Sequence, residues 1–243
     1  MNRPSLDDLR IAYDATWAPA EMRRFGAWTL RRGNGGGKRV SAATLAAETF
    51  TAADIDAAEA EMLAMGQSRL FMVRAEDTAL DADLAGRGYD AIEPVVVQIA
   101  ALSDLPAIDP KPLDAIPCVE PLALMAEIWA EGGISAARLA VMAQTKGPKT
   151  HLLARVGDRP AGCAFVAVHN ETAIIHALYV APEYRRSGTA RNILGRAALW
   201  SASHGATTFG ALTLGENLPA RHLFAGVGMR VVDNYLYRIK IGA

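Results

Sequence analysis

Apolar and polar positions alternate along the chain in a way that predicts helices and strands in turn. From 54 to 65, Ile55, Ala58, Met62 and Met65 recur at helical spacing. Leu70 to Val73 and Val95 to Ile99 are short apolar runs that predict buried strands. Between them, Asp77 to Gly88 predicts a helix stopped by its C-terminal glycine. The first hundred residues therefore read as α/β.

The second half follows a clearer order. Leu122 to Glu131 and Ser135 to Thr145 predict two helices split by Gly132-Gly133. His151 to Val156 and Ala161 to Val168 predict strands joined by the turn Gly157-Asp158-Arg159-Pro160. Asn170-Glu171 marks a second hairpin into a strand from Ala173 to Val180, so these strands should run antiparallel. Arg191 to His204 is helical, with Ile193, Leu194, Ala197 and Ala198 on one face. A strand at Thr207 to Leu214, a short helix at Leu218 to Ala225 and a strand at Met229 to Lys240 complete the series. In that last strand Tyr235, Tyr237 and Ile239 share a face. The order βββ-α-β-α-β predicts a mixed, mostly antiparallel sheet with flanking helices, preceded by a smaller α/β domain.

A boundary is expected where Pro106, Pro110, Pro112, Pro117 and Pro121 crowd together, because proline lacks a donor and disfavours helix before it. The expected division is residues 1–104, a linker at 105–117, and a second domain at 118–243. Gly33 to Lys38 is glycine-rich but is not a phosphate-binding P-loop. That motif needs a glycine at 32 and Ser or Thr at 39, and both positions are arginine. A turn between strands is the expectation there.

Composition narrows the function classes. With 51% hydrophobic residues in 243, a substantial core is expected. A net charge of −1 offers no basic excess for a nucleic-acid backbone. Cys118 and Cys163 do not form a disulfide framework, and His169, His204 and His222 lack ligand spacing, so no metal is expected. The first ten residues lack the apolar core of a secretion signal, and no run is long enough to cross a bilayer. A cytoplasmic protein is the resulting expectation.

The chemistry concentrates between Ala173 and Trp200. A strand leads into Pro182-Glu183-Tyr184, then Arg185-Arg186-Ser187-Gly188-Thr189-Ala190, then a helix. The first amides of a helix have no internal partner and point off its N-terminus, which suits a phosphate. Gly188 and Ala190 permit close approach, and Arg185, Arg186 and Arg191 can add charge-assisted bonds. Arg-x-x-Gly-x-Ala between strand and helix resembles the pyrophosphate signature of the GNAT acetyltransferases. Downstream, Asn217-Leu-Pro-Ala220-Arg-His-Leu223-Phe224 followed by Gly228-Met229 is similar to that family's Asn-x-x-Ala-x-x-Leu-Tyr…Gly-Phe segment.

The resemblance implies acetyl-CoA as cofactor and a primary amine as acceptor. It implies backbone contacts to the cofactor arm at Leu178, Tyr179 and Val180, and pyrophosphate contacts from Arg185, Arg186, Ser187, Gly188, Thr189, Ala190 and Arg191. Asn217 and Phe224 would lie beside the arm. The attacking amine must be neutral, so a base is needed. His176, ionisable within an apolar strand, is the candidate, and it matches a catalytic histidine of the arylalkylamine branch. It is equally what a satisfied lining histidine looks like. The family's proton donor, a tyrosine, is Phe224 here. Tyr235, Tyr237 and Tyr179 are candidate substitutes, or ordinary strand aromatics. Acceptor contacts are expected from the paired helices, at Trp129, Glu131, Ile134 and Arg138, with Glu127 and Met142 nearby.

The first half loosely resembles the second half of a GNAT fold through Trp28-Thr-Leu-Arg, the Arg39 stretch and the 80–99 segment. It has no Arg-x-x-Gly-x-Gly/Ala loop that opens a helix, so a degenerate tandem copy without cofactor and an unrelated α/β extension both remain. Three functions follow: an N-acetyltransferase on a small-molecule or amino-acid-like amine, a protein lysine or N-terminal acetyltransferase, and a non-catalytic acyl-CoA-binding module. No nucleic acid or membrane is implied, and a homodimer is an open option.

Overall fold

A computed structural model of the protein describes residues 4–108, 110–111 and 113–241. In chain order the first elements are α1 (Leu6–Ala15), β1 (Glu21–Phe25), β2 (Trp28–Arg32), β3 (Ala43–Leu45), α2 (Ala52–Ala64), β4 (Arg69–Arg74), α3 (Thr78–Gly86) and β5 (Asp90–Ala101). There follow β6 (Ala115–Cys118), α4 (Ala123–Glu131), α5 (Ala136–Gln144), β7 (Lys149–Val156), β8 (Arg159–His169) and β9 (Thr172–Val180). The last are α6 (Thr189–Ser203), β10 (Thr208–Leu214), α7 (Leu218–Gly226) and β11 (Arg230–Lys240).

These elements form two units whose boundaries cross the sequence more than once. The first holds the chain up to Ala18, Val97–Thr213 and Leu218–Val232. The second holds Pro19–Val96, Leu214–Asn217 and the chain from Asp233. This differs from a cut at 105–117. The reason is strand exchange: the second half of β5 belongs to the first unit, beside β10, while most of β11 belongs to the second, antiparallel to β4.

In the first unit the sheet runs β10-β9-β8-β7-β6. β7, β8 and β9 are antiparallel, as the turn residues predict, and β9 and β10 are parallel, joined through α6. Leu152, Val166 and Ile175 on one face pack against Ile193, Leu194 and Ala197 of α6. The expected linker is part of this unit. Ile108 lies where a Cβ on Gly195 of α6 would meet it at 2.5 Å. Arg196 donates to the carbonyl of Ala115 at 3.1 Å, and Pro117 sits in the edge strand β6, where a missing donor is tolerated. Pro112 lies outside the described residues.

The N-terminal helix α1 was not legible in the apolar pattern. Ser5 caps it by accepting from the amide of Asp8 at 3.1 Å, and Leu9, Ala12 and Tyr13 are buried. α1 and α4 pack on β8 and β9.

The second unit repeats the same plan with its own core around Trp28, Ile55, Phe71 and Leu80. β2 and β3 are antiparallel, β3 and β4 are parallel and joined through α2, and α3 follows. That order corresponds to β8, β9, α6, β10 and α7 of the first unit. Gly33 to Lys38 forms the turn between β2 and β3. Arg238 of β11 holds Asp81 of α3 through two bonds of 2.8 and 3.0 Å.

Candidate functional site

The site begins with an irregularity in β9. Phe165 pairs with His176, but Cys163 pairs with Tyr179, so β9 carries one extra residue at this point. Ala177, at φ 50°, takes up the bulge. Its carbonyl accepts from the indole N–H of Trp129 at 2.8 Å. The β9–β10 ladder ends at Ile175 and Ala211, although β9 continues to Val180. From His176 onward the two parallel strands part, and the β9 edge facing β10 has no ladder partner.

Trp129 is therefore not an exposed π face. It is fully buried, with its ring edge-on to His151 at 6.0 Å, and its N–H anchors the bulge. Replacing it with phenylalanine leaves the half-buried Ala177 carbonyl without its donor. The expected loss of stability is about 1–3 kcal/mol in denaturant unfolding, accompanied by weaker ligand binding at the cleft. Of the other expected acceptor residues, Ile134 is buried, while Glu131 and Arg138 are exposed on their helices. Gly132 lies against Tyr179: a Cβ there would meet the tyrosine ring at 2.6 Å.

The second component is the loop that opens α6. Gly188 is the N-cap, at φ 87°, and it has no side chain with which to cap the helix. A Cβ at this position would meet nothing within 4 Å, so the space off the helix end is open. No acidic residue lies in the first turn. Arg185, Arg186, Ser187 and Arg191 are exposed. Arg185 donates to the Val180 carbonyl at 3.0 Å and places its guanidinium 5.8 Å from the centre of the Tyr179 ring. Ser187 and Thr189 turn their hydroxyls onto the Tyr184 carbonyl at 2.6 and 3.3 Å, closing the loop on itself.

The corresponding helix of the second unit is built the other way. α2 opens with Thr51, which accepts from the amide of Asp54 at 3.3 Å, while the Asp54 carboxylate accepts from the amide of Thr51 at 2.8 Å. This capping box consumes the amides and puts a negative charge where a phosphate would sit. The start of α2 is thus capped by side chains where the start of α6 is not.

The third component is a row of rings on the face of the sheet opposite α6. His151, Phe165 and His176 stand in register across β7, β8 and β9. Trp17 joins them, 5.2 Å from His176 and 6.2 Å from Phe165. His151 is buried, with Nδ1 3.3 Å from the Val119 carbonyl, and burial pushes its pKa down toward a neutral imidazole. His176 is 7% exposed, and its Nε2 lies 3.0 Å from the hydroxyl of Thr16. Sequence reasoning missed Thr16 and Trp17, because nothing local links residue 16 to residue 176.

Phe224 is buried in the apolar core on the α6 face and carries no proton to donate. Tyr235, Tyr237 and Asn217 belong to the second unit. There Tyr237 stands edge-on to Tyr235 at 5.5 Å, and burial, followed by its contacts with Tyr235, raises its pKa well above 10. Such a hydroxyl holds its proton at neutral pH, which argues against its use as an acid. A separate apolar pocket of about 300 Å³ is lined by the second half of α6 and the 102–108 segment, not by the α6 N-terminus. Among the described residues no cluster of histidine, cysteine and carboxylate side chains could hold a metal, and no helix is long and apolar enough to cross a membrane.

The parallel pair β9 and β10 thus parts after Ile175, and the helix that follows β9 starts without a side-chain cap. Residues 122–229 match the model of the Acetyltransferase (GNAT) family. The chain carries a GNAT domain. Its fold is similar over nearly the whole chain to a GCN5-related N-acetyltransferase from Kribbella flavida, with 15% identity and a TM-score of 0.70, covering 93% of this chain and 91% of that one. It is also similar to a functionally unknown conserved protein from Staphylococcus epidermidis ATCC 12228, at 9% identity and a TM-score of 0.68, covering 94% and 97%. A tandem GNAT protein from the clavulanic acid biosynthesis pathway matches at 15% identity and a TM-score of 0.58, covering 92% and 84%. At these identities the likeness is one of fold. No curated protein sequence matches the chain.

Proposed function

We propose that the protein is an N-acyltransferase that moves an acetyl group from acetyl-CoA to the primary amine of a small-molecule or amino-acid-like acceptor, by direct attack with both substrates bound. The observation that carries this reading is the parting of β9 from β10 next to the open N-terminus of α6. Bound acetyl-CoA would supply the thioester that is the acylating agent.

The residues present fit that ligand. The α6 amides from Gly188 to Arg191, with Arg185, Arg186 and Arg191, suit a diphosphate. The edge of β9 that β10 leaves would offer backbone groups to an amide-bearing arm at Leu178, Tyr179 and Val180, the Val180 carbonyl being shared with Arg185. A backbone N–H on that edge would hold the thioester oxygen as it gains charge. His176, at the point where the strands part, would accept the amine's proton. With Phe224 in place of a tyrosine, the departing thiolate would take its proton from solvent. Glu131 and Arg138, both exposed, would meet the acceptor at the helix pair.

Phe224 also favours a second reading, a module that binds acyl-CoA without turning it over. A protein lysine or N-terminal acetyltransferase is a variant of the first. One assay separates them: calorimetric titration with acetyl-CoA, then free-thiol release with a panel of small amines, amino acids and lysine peptides. Micromolar binding with amine-dependent release supports the transferase. Binding without release across the whole panel supports the module. A folded protein that binds no acetyl-CoA overturns both.

A further inference from the structure

We propose that Thr16, carried in from the N-terminal helix, selects the tautomer of His176 and so makes Nδ1 its basic nitrogen. This deepens the transferase reading and rests on it for its catalytic meaning, though not for its structural content.

The argument is a count of protons. The Thr16 hydroxyl lies 2.8 Å from the Ala12 carbonyl and 3.0 Å from His176 Nε2. A carbonyl oxygen has no proton to give, so Thr16 donates its one hydroxyl proton there, the back-bond common for threonine at a helix end. Toward the imidazole the hydroxyl can then only accept. Nε2 must carry a proton, and in the neutral ring the lone pair resides on Nδ1.

Thr16 is held in place for this. It is 1% exposed and forms the C-cap of α1, with its own amide bonded to Ala12. Two residues on, the Ala18 carbonyl accepts from the Gln144 side chain at 2.7 Å, tying the end of this segment to α5. Trp17 covers the imidazole at 5.2 Å and Phe165 stacks on it at 6.1 Å, so the ring is confined between two aromatic neighbours. The segment from α1 to Ala18 therefore adds to the candidate site of a domain whose family match begins at residue 122.

In the reaction, the amine nitrogen bonds to the acyl carbon and its proton passes to Nδ1. The carbon–sulfur bond breaks and its electron pair leaves on the thiolate. In the Nε2–H tautomer the lone pair that takes this proton is the one on Nδ1. Thr16 is a positioning residue: it touches the imidazole, not the reacting atoms.

The test is long-range proton–nitrogen NMR on the full chain labelled at histidine, with the His176 signals assigned by their loss in His176→Gln. In wild type, His176 should show the Nε2–H tautomer. Thr16→Ser, which retains the hydroxyl, should show the same pattern. Thr16→Val should lose it, giving mixed or reversed tautomers, and turnover should fall roughly 10- to 100-fold with the KM for acyl-CoA little changed. An Nδ1–H tautomer in wild type overturns the proposal, whether or not Thr16→Val folds. So does an unchanged pattern in a folded Thr16→Val. If the tautomers behave as expected but wild type acylates no amine, the transferase reading fails and the assignment of Thr16 stands.

Discussion

His176→Gln is expected to lower turnover roughly 10²- to 10⁴-fold, the range that a positioned general base contributes, while acyl-CoA affinity stays within a few-fold of wild type. The separation follows from placement. His176 is the first residue past the last β9–β10 pair, whereas the candidate diphosphate cradle begins at Gly188, beyond the end of β9. Glutamine keeps a donor for the Thr16 hydroxyl, so the segment after α1 should remain docked and the fold intact. Steady-state kinetics with calorimetry on the same samples decides the matter. A variant with wild-type turnover would make His176 a lining residue. A variant that lost affinity and turnover together would make it part of the cofactor's seat.

Gly188→Trp is expected to abolish measurable acyl-CoA binding. Two effects act in the same direction. At φ 87° the backbone is in the region open to glycine, and a side chain there costs about 1–2 kcal/mol. The indole would also fill the open space off the helix end, where the proposed diphosphate would sit. The backbone effect can be measured separately with Gly188→Ala, whose methyl meets nothing within 4 Å. The alanine variant should lose stability yet retain much of the binding. Wild-type affinity in a folded Gly188→Trp would move the diphosphate away from α6 and remove the main support for the cofactor assignment.

Much of the first unit was legible because its signals are local. Glycine and asparagine turns mark the β7–β8 and β8–β9 hairpins, and both appear where the sequence placed them. The loop before α6 reads directly as an uncapped helix start, since glycine at the N-cap has no side chain to offer. The contrast with α2 is also written in residues: Thr51 and Asp54, three apart, form the box that closes the corresponding end. The proline-rich stretch misled for an equally physical reason. Proline excludes helix but not an edge strand, and Pro117 lies in one.

The sequence by itself determined the order of elements in the second half, the glycine-capped loop that opens α6, and the lack of such a helix-opening loop in the first half. Each depends on residues a few positions apart, and backbone sterics and capping act over that range. The tertiary structure decided everything that needs partners distant in the chain. It exchanged β5 and β11 between the units, because an exposed strand edge pairs with whichever strand the fold brings beside it. It buried Trp129 under the bulge rather than leaving it for a ligand, because a carbonyl turned out of its ladder needs a donor. It also set Thr16 against His176 across 160 residues of chain, a pairing with no periodicity or motif to announce it.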